Sequence, residues 1–255
     1  MNKKVRLAII GVAAAAGCAA AAVPLKAIIE AKIGVKNLPE NFTITAHTGC
    51  CGAEANTLES SAVGFANGAD ISEFDLNVAL DGTLCLSHDT PKEGEAIVPL
   101  QSEFEFFAPF EDKKLNVDVK TTKALDGILE LAEKTGVKDR IFYTGIGIQD
   151  VAAVKAKTPE IPYYLNCEVS ESILDDKDCL QNFIDGVKET GAIGLNMHFS
   201  NGYKKLIEAC RENGLEVSLW TAYKVKDMLK CLAVSPDNIT TTHPDTLRRI
   251  INILK

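Results

Sequence analysis

The sequence predicts an α/β fold, a (β/α)8 TIM barrel, and three observations point to it. From Thr43 onward, short apolar strands alternate with amphipathic helices, as a parallel α/β architecture requires. The length of 255 residues suits a single barrel domain. Ionisable side chains also fall at the ends of consecutive strand candidates, where a barrel gathers its functional groups at one mouth. A doubly wound open sheet is the runner-up, but no glycine-rich phosphate loop follows the first strand.

The strand candidates are Thr43–His47, Ile71–Val78, Thr83–Ser87, Leu115–Lys120, Arg140–Thr144, Tyr163–Asn166, Gly194–His198, Glu216–Thr221 and Asn238–Thr242. Helical periodicity appears at Leu125, Ile128, Leu129 and Ala132, at Leu180, Phe183, Ile184 and Val187, and at Leu206, Ile207 and Cys210. Glycines 136, 191 and 214 mark the ends of these helices. A last helix opens at Pro244, a good first-turn residue, and carries Leu247, Ile250, Ile251 and Leu254. Nine strand candidates compete for eight places. Asp81-Gly82 is a turn signal that leaves no room for a crossover helix between Val78 and Thr83, so the barrel is expected to be irregular at its second and third strands.

Composition bounds the chemistry. A hydrophobic content of 46% with 24% charged residues sits at the globular average, enough for a sizeable core. A net charge of −8 argues against a nucleic-acid partner, which needs a basic patch. Residues 1–25 stand apart: Lys3, Lys4 and Arg6 precede a run from Leu7 to Leu25 that carries no charge. This reads as a signal peptide or membrane anchor, which predicts an exported protein, membrane-anchored or secreted. Ala15-Ala16-Gly17-Cys18 is compatible with lipoprotein processing at Cys18. Residues 26–41 read as a linker or short helix, and 42–255 as the barrel. The seven cysteines after the leader show no paired metal-binding spacing and are expected mainly as small core residues. Adjacent Cys50 and Cys51 lie in a loop beside a candidate site residue, where a redox or disulfide role is the alternative.

The chemistry-bearing residues are few. His47 ends the first strand. Glu73 and Asp75, two apart on the second, project to one side of an extended chain. His88-Asp89 closes the third, and Asp118 and Lys120 lie two apart on the fourth. Three carboxylates at one mouth repel one another unless a cation neutralises them, and oxygen-only ligation suits Mg²⁺ or Ca²⁺. Two imidazoles flanking such an ion can serve as base and acid. Taken singly, an E-x-D strand is more often a solvated face and a lone lysine a surface charge. The joint placement on four consecutive strand ends carries the argument.

These residues also sit in motifs. Ile44-Thr45-Ala46-His47-Thr48-Gly49, Glu54-Ala55-Asn56-Thr57, Gly68-Ala69-Asp70, Glu73-Phe74-Asp75, Asp81-Gly82-Thr83, Ser87-His88-Asp89, Leu115 to Lys120, Leu219-Trp220-Thr221 and Ile239 to Pro244 follow in order. From about residue 43 to 250 the chain resembles the glycerophosphodiester phosphodiesterase family. That resemblance implies His47 and His88 as the general acid–base pair, with Glu73, Asp75 and Asp118 as ligands of one divalent cation. It implies Lys120 on the phosphate, and Asn56 either orienting ligands or capping the following helix. Trp220 packs against the alcohol moiety or serves simply as core. The implied substrate is a small-molecule or lipid phosphodiester, cleaved to an alcohol and glycerol 3-phosphate, with water or the substrate's own hydroxyl attacking.

The departures from the family pattern bear on function. Thr48 stands where the family has Arg and Ala55 where it has Glu, and Asp118 is one methylene shorter than the usual Glu. Only 29 residues separate His88 from Asp118, so the family's small insertion is expected to be absent and the mouth more open. Two alternatives follow: a phospholipase-like enzyme on lysophospholipids or related lipids, and a degenerate barrel that binds phosphoesters without cleaving them.

Overall fold

The computed structural model describes residues 24–255, so almost all of the expected leader, Cys18 included, lies outside the described residues. Ten strands form in chain order: β1 (Thr43–Ala46), β2 (Ile71–Val78), β3 (Leu84–Leu86), β4 (Val98–Pro99), β5 (Lys114–Val119), β6 (Ile141–Ile146), β7 (Tyr163–Asn166), β8 (Gly194–His198), β9 (Glu216–Trp220) and β10 (Asn238–Thr241). The described helices are α1 (Leu25–Lys36), α2 (Leu58–Ala66), α3 (Leu100–Phe107), α4 (Leu125–Thr135), α5 (Val151–Lys157), α6 (Lys177–Thr190), α7 (Lys204–Glu212), α8 (Val225–Val234) and α9 (Pro244–Leu254).

Eight of the strands run parallel and close into a ring, β1-β2-β5-β6-β7-β8-β9-β10, with β1 joined to β10 on one side and to β2 on the other. The fold is therefore the (β/α)8 barrel that the alternating pattern predicts. The irregularity at the second and third strands has a simple cause. β2 is eight residues long and β1 only four, so β2 outruns its neighbour. Beyond the Ala46–Ser72 pairing, β3 folds back antiparallel along β2, with Leu76 opposite Leu86 and Val78 opposite Leu84. The Asp81-Gly82 turn closes this hairpin, and the surplus strand candidate, Thr83–Ser87, lies outside the ring.

Between β3 and β5 the chain holds the two-residue β4 and the short helix α3, which the periodicity search does not anticipate. α3 is an aromatic plug: Phe104 and Phe107 are fully buried, and the Arg140 guanidinium sits 4.5 Å from the Phe107 ring centroid. The stretch read as linker or short helix is mostly α1. Its buried residues Ile28, Ala31, Gly34 and Val35 pack on the barrel's outer layer. Gly34 lets the helix lie against α8, because a Cβ there would come within 1.8 Å of the Leu232 carbonyl oxygen. Among the described residues no helix is long and apolar enough to cross a membrane.

The alternation along β2 sets the logic of the ring. Ser72, Phe74 and Leu76 face the helices, while Glu73, Asp75 and Asn77 face the barrel interior. The E-x-D pair is thus buried, with Glu73 and Asp75 only 6% and 7% exposed. The base of the barrel is tied by Asp70, which accepts from the Ile44 amide at 2.8 Å and from Arg248 of α9 at 2.8 Å.

One buried carboxyl lies apart from the mouth. Glu103 of α3 has no exposed surface, and its Oε1 accepts from the Ser61 hydroxyl at 2.7 Å. Among the described residues its Oε2 has no partner. Burial pushes the carboxyl from 4.5 up to about 7, with the Ser61 bond opposing. Between those values the folded chain binds more protons than the unfolded one, so stability falls as pH rises through the window and is lowest above it. The full shift corresponds to roughly 3 kcal/mol. Glu103→Gln is expected to remove this slope and to raise stability at pH 8 by about 1–3 kcal/mol in denaturant titrations. An unchanged pH profile in the variant would contradict the assignment.

Candidate active site

The C-terminal ends of the parallel strands surround a cavity of about 580 Å³. His47, Glu73, Asp75, His88, Asp118, Lys120 and Trp220 all line it. Register explains the convergence. Asp75 of β2 lies directly opposite Asp118 of β5, and Ala46 opposite Ser72 sets His47 beside Glu73. Parallel neighbours are about 4.8 Å apart. One carboxylate oxygen from each of Glu73, Asp75 and Asp118 lies within 4.8 Å of the others.

Each carboxylate is braced. Glu73 Oε2 accepts from the Thr48 amide at 2.9 Å. Asp75 Oδ2 accepts from the Asn56 side-chain amide at 3.0 Å, while Asn56 Oδ1 accepts from the Asp75 backbone amide at 3.0 Å. Asp118 Oδ1 accepts from the Thr144 hydroxyl at 2.7 Å. Lys120 completes the set: its ammonium is 2.7 Å from Asp75 Oδ1 and also bonds Asp118 Oδ2. Burial works against that charge, but Asp118 and Asp75 outweigh it and raise the lysine's pKa. Glu73 lacks such a partner. Burial above all, opposed by His47 and reinforced by Asp118 and Asp75, holds its carboxyl well above the usual carboxylate range. One ammonium beside three carboxylates leaves a site short of positive charge and furnished only with oxygen donors, which fits a hard divalent cation.

The two imidazoles reach the cavity by different routes. His47 follows β1, and its Nδ1 lies 2.8 Å from the Thr48 carbonyl oxygen. A carbonyl can only accept, so Nδ1 carries a proton and Nε2 is the nitrogen left for proton exchange. His88 is delivered by the β2–β3 hairpin, where the Ser87 amide donates to the Asp75 carbonyl at 3.0 Å. Its Nδ1 pairs with Asp89 Oδ1 at 3.0 Å, and its side chain is 69% exposed.

Several local features differ from expectation. Asn56 does not cap α2; Thr57 does, accepting from the Ser60 amide at 3.2 Å. Asn56 instead adopts a left-handed φ of 59° and turns its amide onto Asp75, behind the cavity wall. Thr48, in the place of the family's Arg, is a strut: its hydroxyl accepts from the Asn56 amide at 2.6 Å while its own amide holds Glu73. Cys50 and Cys51 are free thiols. Cys50 turns inward, and burial pushes its thiol up to about 12. Trp220 is 36% exposed and meets His198 edge-on at 5.7 Å.

The motif reading misses Tyr223, which stands T-shaped to His47 with ring centroids 6.1 Å apart. It also misses the polar wall of Asn116, Thr144, Gly145, Asn166 and Asn196. Asparagine disfavours strands, so Asn166 closing β7 and Asn196 within β8 were a usable signal. Gly145 is required: its φ is 76°, and a Cβ would sit 3.0 Å from Asp118 Oδ1.

Comparison with known proteins agrees with this picture. Residues 98–246 match the model of the glycerophosphoryl diester phosphodiesterase family. The glycerophosphodiester phosphodiesterase of Caldanaerobacter subterraneus subsp. tengcongensis is 25% identical over 228 residues, covering 77% of this chain and 91% of that protein. A glycerophosphodiester phosphodiesterase structure from Parabacteroides distasonis superposes with a TM-score of 0.69 at 19% identity, over 83% of this chain and 97% of that one. An Oleispira antarctica phosphodiesterase superposes with a TM-score of 0.67 at 19% identity, over 86% and 99% of the two chains. Fold and sequence together put the protein among the phosphoric diester hydrolases. It belongs to the glycerophosphoryl diester phosphodiesterase family.

Because Asn56 holds Asp75 by two hydrogen bonds, Asn56→Ala is expected to weaken binding of any divalent cation held by the acidic trio about ten- to a hundredfold, the usual cost when a ligand loses its support. Calorimetric titration measures it. Unchanged affinity would show that Asp75 needs no such brace.

Proposed function

We propose that the protein hydrolyses glycerophosphodiesters to an alcohol and glycerol 3-phosphate, with a divalent cation bound by Glu73, Asp75 and Asp118. The observation that carries this reading is the convergence of two buried carboxylates and a partly buried third, one lysine and two imidazoles on one cavity of a barrel of this family. Further support comes from the Oleispira antarctica enzyme of the same fold, described in complex with the product sn-glycerol-3-phosphate.

In this reading the bound cation, Mg²⁺ or Ca²⁺, supplies Lewis-acid polarisation of a phosphoryl oxygen. The chain's own groups do the rest. Lys120, which pairs with Asp75 and Asp118, would turn its ammonium to the phosphate as a point charge. His47 and His88, each presenting Nε2, share the proton work: one accepts from the attacking oxygen and the other donates to the departing alcohol. The Thr48 carbonyl and Asp89 accept from Nδ1 of the two rings, so Nε2 is bare on the accepting ring and protonated on the donating one. Trp220 and Tyr223 offer apolar faces to the alcohol side of the ester.

Lipid phosphodiesters form a second substrate class, favoured by one observation. Leu80, Ile148 and Tyr223 are 72%, 68% and 52% exposed, on the loops that follow β2, β6 and β9 around the mouth. The basic-then-apolar leader supports action outside the cytoplasm, which fractionation of the producing cells tests.

His88→Ala is expected to lower turnover by at least a hundredfold, within the range general acid–base groups supply, while the thermal unfolding curve stays in place. The assay takes soluble glycerophosphocholine and lysophospholipid vesicles in parallel, with and without chelator. Full turnover by the variant would remove His88 from the mechanism. Turnover insensitive to chelator would remove the cation. Faster cleavage in vesicles would favour the lipid class.

A further inference from the structure

A second cluster of ligating side chains lies at the seam where the barrel's first and last loops meet, outside the cavity described above. Cys51, His243 and Asp245 place a sulfur, an imidazole nitrogen and a carboxylate oxygen within 4.8 Å of one another. Adjacency of β1 and β10 in the ring makes the meeting possible. Cys51 follows β1, and its amide donates to the Thr242 carbonyl at 2.9 Å, pinning one loop to the other. It sits in a left-handed conformation, φ 54° and ψ 22°, uncommon for a residue with a side chain. Cys50 beside it is buried and donates its thiol to the Ser60 carbonyl, whereas the Cys51 thiol is exposed. His243 and Asp245 flank Pro244 at the start of α9, and Asp245 is oriented by an ion pair with Arg249.

We propose that Cys51, His243 and Asp245 form a second metal site, one that takes a zinc-class divalent transition ion. The donor chemistry separates it from the trio in the cavity. Glu73, Asp75 and Asp118 offer oxygen alone and suit a hard ion, whereas a thiolate, an imidazole and a carboxylate make the mixed set that zinc-class ions prefer. Bonds of about 2.0–2.3 Å to a tetrahedral ion put ligand atoms roughly 3.3–3.8 Å apart. Small rotations of the exposed Cys51 and His243 side chains close the present spacing to that range. Three protein ligands leave the fourth position to water or an anion at the rim of the mouth. Binding takes the proton from the Cys51 thiol, one proton released per ion. The ion would clamp the loop that carries Thr48 and Asn56, the struts of Glu73 and Asp75, to the start of α9.

Cobalt is the diagnostic probe, since a thiolate bound to Co²⁺ gives an intense near-ultraviolet charge-transfer band that oxygen ligands cannot produce. Full-length protein, stripped with chelator, is titrated with Co²⁺. The expected result is a thiolate band that saturates near one equivalent, is displaced by Zn²⁺, and survives excess Mg²⁺ and Ca²⁺. Cys51→Ser should abolish the band, and His243→Ala should weaken Co²⁺ affinity at least tenfold, with circular dichroism unchanged in both. A wild-type protein without the band, a band that persists in Cys51→Ser, or undiminished affinity in His243→Ala would each overturn the proposal.

Discussion

Three carboxylates share the interior of a hydrogen-bonded ring, and the structure around the mouth follows from having to hold them there. Removing an ionised carboxyl from water costs several kcal/mol unless partners compensate. Register across β2 and β5 makes the crowding unavoidable, because Asp75 and Asp118 face each other on adjacent parallel strands. The molecule answers with a dedicated brace for each: the Thr48 amide for Glu73, Asn56 for Asp75, and Thr144 for Asp118. Lys120 offsets part of the charge, while burial first and the neighbouring aspartates after it raise the pKa of Glu73. A site so arranged is incomplete without further positive charge, and that shortfall is the physical basis for the cation in the proposed mechanism.

The departures from the family's motifs look different once this network is visible. Thr48 replaces a guanidinium, yet its amide and hydroxyl tie Glu73 to the Asn56 turn, so the residue supports the acidic cluster instead of clamping phosphate. The antiparallel β3, an irregularity in an otherwise repeating barrel, is what carries His88 to the mouth beside Asp75. Gly145 lets the chain turn beside Asp118, where a Cβ would come within 2.6 Å of the Val119 carbonyl oxygen.

Much of this was legible in the sequence, and the limits have physical causes. The alternation of short apolar strands with amphipathic helices locates all eight barrel strands to within two residues, and the ordered motifs mark His47, Glu73, Asp75, His88, Asp118 and Lys120. Burial was harder to read. An E-x-D strand is usually a solvated face, and only closure of the ring turns Glu73 and Asp75 inward. α3 escapes because it is a single short, aromatic-rich stretch with too few turns to show a period. Asn56 and Thr57 are both good caps, and local sequence cannot say which one caps; the decision rests on Asp75, nineteen residues away. Cys51 and His243 come from opposite ends of the barrel chain, and no spacing rule joins them.

Diffraction from crystals soaked in Mn²⁺, recorded at the manganese absorption edge, tests the central claim most directly. The account expects an anomalous peak bounded by Glu73, Asp75 and Asp118, with the Lys120 ammonium withdrawn from both aspartates. Lys120 still bridging Asp75 and Asp118, with manganese bound only elsewhere, would contradict it.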